Sequence, residues 1–263
     1  MNFLPDYSKR IYGLDIFRAI AIILVVHGHG AFMLKDTPLE NFPWIRLIDG
    51  VDLFFVLSGF LIGGILLKII QENNFVLSWK QVLLFWKRRW FRTLPNYYLI
   101  LIINLVFVST GIIKGRIDQF SYKFFLFIQN FSDPFYGFFW ESWSLTIEEW
   151  FYVLLPVLFV LMLKLFPSKK GILFTLALMI IFPLVYRIIN APQKMNSFWW
   201  DVTFRKVVLM RLDTIIYGVL AAYIKFYHKQ FFQKIAVSSF FFGIAIILAT
   251  AYYPNQSNDF FTK

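Results

Sequence analysis

Long apolar runs separated by short polar turns set the pattern of this chain. Seven runs, at residues 14–33, 51–70, 94–110, 145–166, 171–189, 207–223 and 235–253, approach the roughly 20 residues that a helix needs to cross a bilayer. An eighth run, Phe120–Phe131, has only twelve residues and includes Gln129 and Asn130. As a straight helix it would cover about 18 Å of a hydrocarbon core roughly 30 Å thick. It is therefore predicted to be interfacial or re-entrant on the outer side. Residues 71–93 interleave tryptophan and phenylalanine with Lys80, Lys87, Arg88, Arg89 and Arg92. That mixture predicts an interfacial amphipathic helix feeding the third span. The expected fold is all-α, a polytopic transmembrane bundle of about seven full spans plus one short re-entrant or interfacial helix.

Polar residues inside the apolar runs then mark places to look. In the first span Asp15, Arg18, Ile22, Val25 and His29 step by three or four and share one helical face. His27 turns to nearly the opposite side, so the two imidazoles do not form a metal pair, and no metal site is expected. Ionisable groups in a membrane span are costly and mark a site or pathway. The plainer alternative is an arginine that snorkels and a histidine at a wet helix end. In the second span Gly59 and Gly63 form a small-xxx-small pair suited to close helix packing.

Composition agrees with the pattern. Of 263 residues, 59% are hydrophobic and only 16% charged, with a mean hydropathy of +0.64, which excludes an ordinary soluble enzyme. The absence of cysteine excludes disulfides, thiolate metal sites and a cysteine nucleophile. A net charge of +11 suits an anionic bilayer surface or a phosphate-bearing ligand. The first run follows a leader with Lys9 and Arg10 and no small-residue cleavage site, so it is expected to be retained as a span. No soluble linker interrupts the runs, and residues 1–263 are expected to form one integral-membrane domain. Counting lysine and arginine by side does not choose between crossing and non-crossing versions of Phe120–Phe131.

With seven crossings, two levels of charge are predicted. His29, Asp52, Glu148, Glu149, Arg211 and Asp213 gather near the outer face, while Arg88, Arg89 and Arg92 gather near the inner one with Arg18 a little deeper. Three closely spaced arginines suit bidentate recognition of phosphate. Such an arrangement would suit a long, phosphate-headed donor threaded from the cytoplasm toward a histidine near the far side.

These residues carry a resemblance. The chain resembles the acyltransferase 3 family of bacterial membrane O-acyltransferases over essentially its whole length. In that family an arginine and a histidine separated by ten residues mark the first helix, and Arg18 and His29 match that spacing. Gly50-Val-Asp-Leu-Phe-Phe-Val-Leu-Ser-Gly-Phe-Leu-Ile62 looks like the second-helix signature. Arg88, Arg89, Arg92 and Pro95 fit the arginine-rich motif, and Trp143-Ser-Leu-Thr-Ile-Glu-Glu-Trp-Phe-Tyr152 fits the tryptophan-to-double-glutamate motif. Arg211-Leu-Asp213 with Gly218 looks like a further one. Two departures stand out. Trp150 occupies a position where the family usually has glutamine, and the family's typical ten spans imply that this chain lacks the last three.

The resemblance implies transfer of an acyl group, usually acetyl from acetyl-coenzyme A, to a hydroxyl of a cell-envelope saccharide or related acceptor. The coenzyme would be a donor substrate, with no tightly bound cofactor. Such a protein would sit in the bacterial plasma membrane with the lipid bilayer, acyl donor and hydroxyl acceptor as partners, and no nucleic acid. The chemistry needs a base for the hydroxyl proton, a role that falls to His29. Glu148 or Glu149 would hold the imidazole's tautomer. Arg18, Arg88, Arg89 and Arg92 would hold donor phosphates, and Asp52, Trp143, Arg211 and Asp213 would shape the acceptor site. Two alternatives remain open at this point: a truncated non-catalytic remnant, and a transporter or flippase of lipid-linked sugars with the same charges along its pathway.

Overall fold

The computed structural model describes residues 12–30, 33, 37, 49–191 and 196–252. The basic leader with Lys9 and Arg10, and the loop prolines Pro38 and Pro43, lie outside the described residues. Every long element is a helix: α1 (Tyr12–Gly30), α2 (Gly50–Glu72), α3 (Trp79–Ser109), α4 (Trp143–Leu165), α5 (Lys169–Ile189), α6 (Ser197–Trp200), α7 (Val208–Tyr227) and α8 (Lys229–Tyr252). Among the described residues six helices are long and apolar enough to cross a membrane. A seventh span arises if α6 with its π-helical extension Asp201–Arg205 is joined to α7 across a 66° bend. The protein is an all-α, multi-pass membrane bundle.

Local chemistry sets the helix starts. Asp49 caps α2 by accepting from the Val51 amide at 2.8 Å, and Ser78 with Gln81 forms a capping box at the start of α3. Between them, residues 73–78 reverse the chain, with Asn74 and Phe75 at positive φ. The basic aromatic stretch thus divides differently from expectation. Gln71 and Glu72 finish α2, and Trp79 onward runs unbroken through Pro95 to Ser109 as one 31-residue helix. About 46 Å long, α3 exceeds the hydrocarbon thickness, so its basic first turns extend into the interface without needing a separate helix.

Packing centres on α2 and α7. Gly59 of α2 lies against the backbone of Ile215 and Gly218, and Gly218 in turn lies against Val56 and Phe60. A Cβ at Gly63 would stand 2.9 Å from Val219. Backbone meets backbone here because neither helix carries a side chain at the crossing. Phe55, Ile62, Leu66 and Leu67 join Ile215, Ile216 and Val219 in the buried core, with Ile147, Phe151 and Phe159 of α4 completing it.

The pairings also fix direction. Asp52 meets Arg211, Gly59 meets Ile215 and Gly218, and Gly63 meets Val219, so α2 and α7 run parallel. Lys169 at the start of α5 lies over the Tyr227 ring at the end of α7, while Arg187 reaches Asp213 near its start, so α5 runs antiparallel to α7. Parallel α2 and α7 require an odd number of crossings between the end of α2 and the start of α7, and α3, α4 and α5 supply three. That parity holds only if Phe120–Phe131 does not cross.

That segment forms a short 3₁₀ turn, Tyr122–Leu126, that dips into the bundle. The Tyr97 and Tyr98 hydroxyls donate to the Phe124 and Phe125 carbonyls at 2.9 and 2.8 Å. Tyr97 lies twelve residues before the outer end of α3, a depth of about 18 Å. The Trp150 indole donates to the Phe127 carbonyl at 2.6 Å. Gln129 donates to Thr146 at 2.7 Å, and Asn130 donates to the Trp143 and Lys206 carbonyls. Irregular backbone at membrane depth persists only where protein partners satisfy it, and these side chains do so.

Two outcomes test this architecture. Gly218→Val should destabilise the detergent-solubilised protein by about 3 kcal/mol or more through overpacking, while Gly64→Ala, which meets nothing within 4 Å, should be neutral; thermal unfolding of both variants decides. Single cysteines at Asp133 and Asn196 should react with a membrane-impermeant thiol reagent on intact cells, and those at Lys169 and Lys229 should not. The reverse labelling pattern would place the re-entrant segment across the membrane.

Candidate active site

At the centre of the bundle α2 and α4 bring three polar side chains into line. The Ser58 hydroxyl lies 2.6 Å from that of Tyr152, which donates to Glu148 Oε2 at 3.0 Å. With the tyrosine proton spent on Glu148, Ser58 is the donor to Tyr152. Spacing explains half of this chain, because Glu148 and Tyr152 are four apart on one helix face. Trp86 of α3 donates its indole N–H to the Tyr152 carbonyl at 2.9 Å, and the Arg89 guanidinium lies 5.3 Å from the centre of the Tyr152 ring.

Arg89 belongs to a second feature. Arg88, Arg89 and Arg92 line one cavity of about 410 Å³ with Ile65, Ile69, Glu72, Asn73, Gln81 and others at the inner ends of α2 and α3. The three expected phosphate ligands are thus brought to one opening. Arg18 is not among them; it pairs with Asp15 at 2.7 Å on α1.

Glu149 faces elsewhere. It is 4% exposed, and neither carboxyl oxygen makes a hydrogen bond of normal geometry. It lines an aromatic cavity of about 280 Å³ between α3, the re-entrant segment and α4. Trp90 shares that cavity and faces the carboxyl.

The outer ends hold a third group of charges. Arg211 meets Asp52 at 2.5 Å. Arg205 pairs with Asp49 and with Asp201, and Lys206 with Asp201 at 2.6 Å. Lys206 also lies 4.3 Å from the Trp140 ring centre and 5.9 Å from that of Trp143. Three acids and three bases leave this corner electrically balanced. Trp143 is buried there, edge-on to Phe55, so it packs the corner more than it lines an opening.

Two expected groupings are not assembled. Asp213 does not join the outer corner; it is buried and clasped by Arg187 through both oxygens, at 2.5 and 3.1 Å. Nor do the glutamates share a level with His29. Gly50 packs on Ala21 and Val25, so α2 begins well short of the end of α1, and His29 stands about 6 Å beyond Val25. Ser58 lies about 12 Å down α2 in the other direction, leaving roughly 18 Å of axial separation between His29 and the Glu148 chain. His29 is exposed, and among the described residues no hydrogen bond joins it to Glu148 or Glu149. Equal helix levels had been inferred from span ends, whereas α2 starts partway down α1.

Sequence reasoning missed Ser58, Trp86, Tyr152, Arg187 and Arg205 as contributors. Tyr152 was within reach through its spacing from Glu148. Arg187 pairs with Asp213 across 26 residues, a relation no local pattern carries.

Fold and site together define a membrane-embedded protein with a half-buried carboxyl–tyrosine–arginine centre. The chain belongs to the acyltransferase 3 family, whose profile, described as an acyltransferase domain, matches residues 11–262. It is 34% identical to the peptidoglycan O-acetyltransferase OatA of Listeria monocytogenes serovar 1/2a over 64% of this chain and 27% of that protein. It is 29% identical to the O-acetyltransferase OatA of Staphylococcus aureus strain NCTC 8325, over 96% of this chain and 42% of the relative. A putative O-acetyltransferase of S. aureus strain COL is 30% identical over 83% and 36%. The chain thus spans less than half the length of each of these relatives. No solved structure matches it.

Because Asp213 and Arg187 bond only each other's charge, a structural role predicts strong coupling. Asp213→Ala alone should cost about 1 to 3 kcal/mol by leaving a half-buried guanidinium without its carboxylate, and the double variant Asp213→Leu/Arg187→Met should lose less. Thermal unfolding of the single and double variants measures the coupling; additive losses would return Asp213 to the acceptor site.

Proposed function

We propose that this chain is an integral-membrane O-acyltransferase that moves an acetyl group from acetyl-coenzyme A to a hydroxyl of a cell-envelope saccharide. The observation that carries the reading is the arginine-lined cavity joined through Arg89 to the half-buried Ser58–Tyr152–Glu148 chain. Family membership and the O-acetyltransferase relatives support it. Peptidoglycan is the acceptor in the name of the Listeria relative, and a polymer of that kind is the acceptor class proposed here.

In this reading Arg88, Arg89 and Arg92 take the donor's phosphates at the inner opening. Arg18, paired with Asp15 on α1, would add a further cation outside that cavity. His29, at the outer end of α1, is the base that removes the acceptor hydroxyl proton as its oxygen attacks the thioester carbonyl. The carbon–sulfur bond breaks and the coenzyme leaves as a thiol. Glu148 holds the Tyr152 hydroxyl and balances Arg89, so its part is to position the donor path and not to orient His29. The outer corner of Asp52 and Arg211, walled by Trp143, supplies hydrogen-bonding groups for the acceptor.

The test uses the full chain in lipid nanodiscs with radiolabelled acetyl-coenzyme A and a soluble saccharide acceptor. Arg89→Ala should raise the apparent KM for the donor roughly tenfold to a hundredfold, the loss of about 1.5 to 3 kcal/mol of charge-assisted binding, with little change for the acceptor. His29→Ala should stop transfer while donor binding persists, and His27→Ala should remain active. Retained transfer in His29→Ala with loss in His27→Ala would overturn the assignment of the base. Failure of the wild-type chain to bind the donor would overturn the donor itself.

A further inference from the structure

A cavity of about 360 Å³ lies on the outer side, between the end of α3, residues 113–115, residues 136–141 and Phe198 of α6. Acyl transfer as described above leaves it unused. Tyr136, Trp140 and Phe198 form its aromatic wall and are 38%, 38% and 46% exposed. Lys114 and Glu141 also line it; both are exposed, and among the described residues neither makes an ion pair or a hydrogen bond. Asn104 spends an amide N–H on the Ile100 carbonyl at 3.0 Å, which leaves its side-chain oxygen as an acceptor. Trp140 joins the cavity to the outer corner. Lys206 lies 4.3 Å from its ring centre and pairs with Asp201, which also holds Arg205.

A ligand here must offer an apolar face together with hydrogen-bond donors and acceptors. An alkyl tail would strip water from Lys114 and Glu141 and return no partner. An anionic group would be repelled by Glu141 and a cationic one by Lys114. A choline headgroup has no donor for Glu141 or Asn104. A pyranose ring meets every demand: its C–H face lies on an aromatic ring, and its rim hydroxyls donate to Glu141 and accept from Lys114. We infer that the cavity holds one ring of the acceptor while a linked ring reaches the corner of Asp52 and Arg211. The acceptor is then an oligosaccharide or polymer of neutral pyranose rings, because a single sugar cannot engage both places. The inference rests on the acyl-transfer reading for what happens at the corner, but not for sugar binding in the cavity.

The test uses the full chain in phosphatidylcholine nanodiscs, without donor, and the linear tetramers of N-acetylglucosamine and of glucose as probes. Saturation-transfer NMR should mark the ring C–H protons of at least one tetramer, and the matching monosaccharide should bind at least tenfold more weakly. Trp140→Ala and Glu141→Ala should each weaken tetramer binding about tenfold, while Trp140→Phe, which keeps an aromatic face, should bind nearly as wild type. Glu141 is exposed and unpartnered, so its variant tests the cavity without endangering the fold. With labelled acetyl-coenzyme A added, Glu141→Ala should raise the KM for the tetramer about tenfold and leave that for the donor unchanged. Absence of binding by both tetramers would overturn the inference, as would affinities unmoved in Glu141→Ala and a folded Trp140→Ala, or displacement of the tetramer by dihexanoylphosphatidylcholine. Tetramer binding that depends on Trp140 and Glu141, without any transfer, would uphold the sugar site and overturn the acyl-transfer reading instead.

Discussion

The close approach of α2 and α7 is the constraint on which the rest depends. Gly59 and Gly218 let the two backbones touch, and in a bilayer such contact is a principal source of helix association because lipid offers no hydrophobic gain between spans. The approach sets the register in which Asp52 meets Arg211. It also places Ser58, one residue before Gly59, on the side of α2 that Tyr152 reaches. A side chain at either glycine would separate the helices and pull both polar contacts apart.

The parallel run of α2 and α7 is bound to the re-entrant segment. Because Phe120–Phe131 does not cross, its peptide groups sit at membrane depth without a helix to satisfy them. Tyr97, Tyr98 and Trp150 donate to its carbonyls, and Gln129 and Asn130 tie it to the first turns of α4 and to the start of α7. The same segment forms one wall of the Glu149 cavity. A solution to a backbone-satisfaction problem therefore also creates an open-sided cavity beside a carboxyl.

Two adjacent glutamates end in different surroundings for a geometric reason. Neighbouring helix positions point about 100° apart. Glu148 turns toward α2 and meets Tyr152, while Glu149 turns toward α3 and the re-entrant wall. One joins a hydrogen-bonded chain near Arg89; the other faces the Trp90 indole. The charges at the outer corner and the Arg187–Asp213 clasp are compensated locally, which leaves the arginine cavity as the place where several cations line one opening.

The sequence by itself determined the helical class, the number of spans, the shortness of Phe120–Phe131 and the small-residue face of α2, because each follows from local hydropathy, length or spacing. It also placed Arg88, Arg89 and Arg92 together, since they share little more than one turn of a helix. Tertiary structure decided which charges meet. Asp213 pairs with Arg187 and not with an acceptor corner, Glu148 sits with Arg89 and Tyr152 instead of His29, and the basic stretch continues into α3 instead of forming its own helix. Depth is the reason. Hydropathy reports that a segment crosses but not how far one helix is shifted along the next, and that shift is set by where glycines allow backbones to touch.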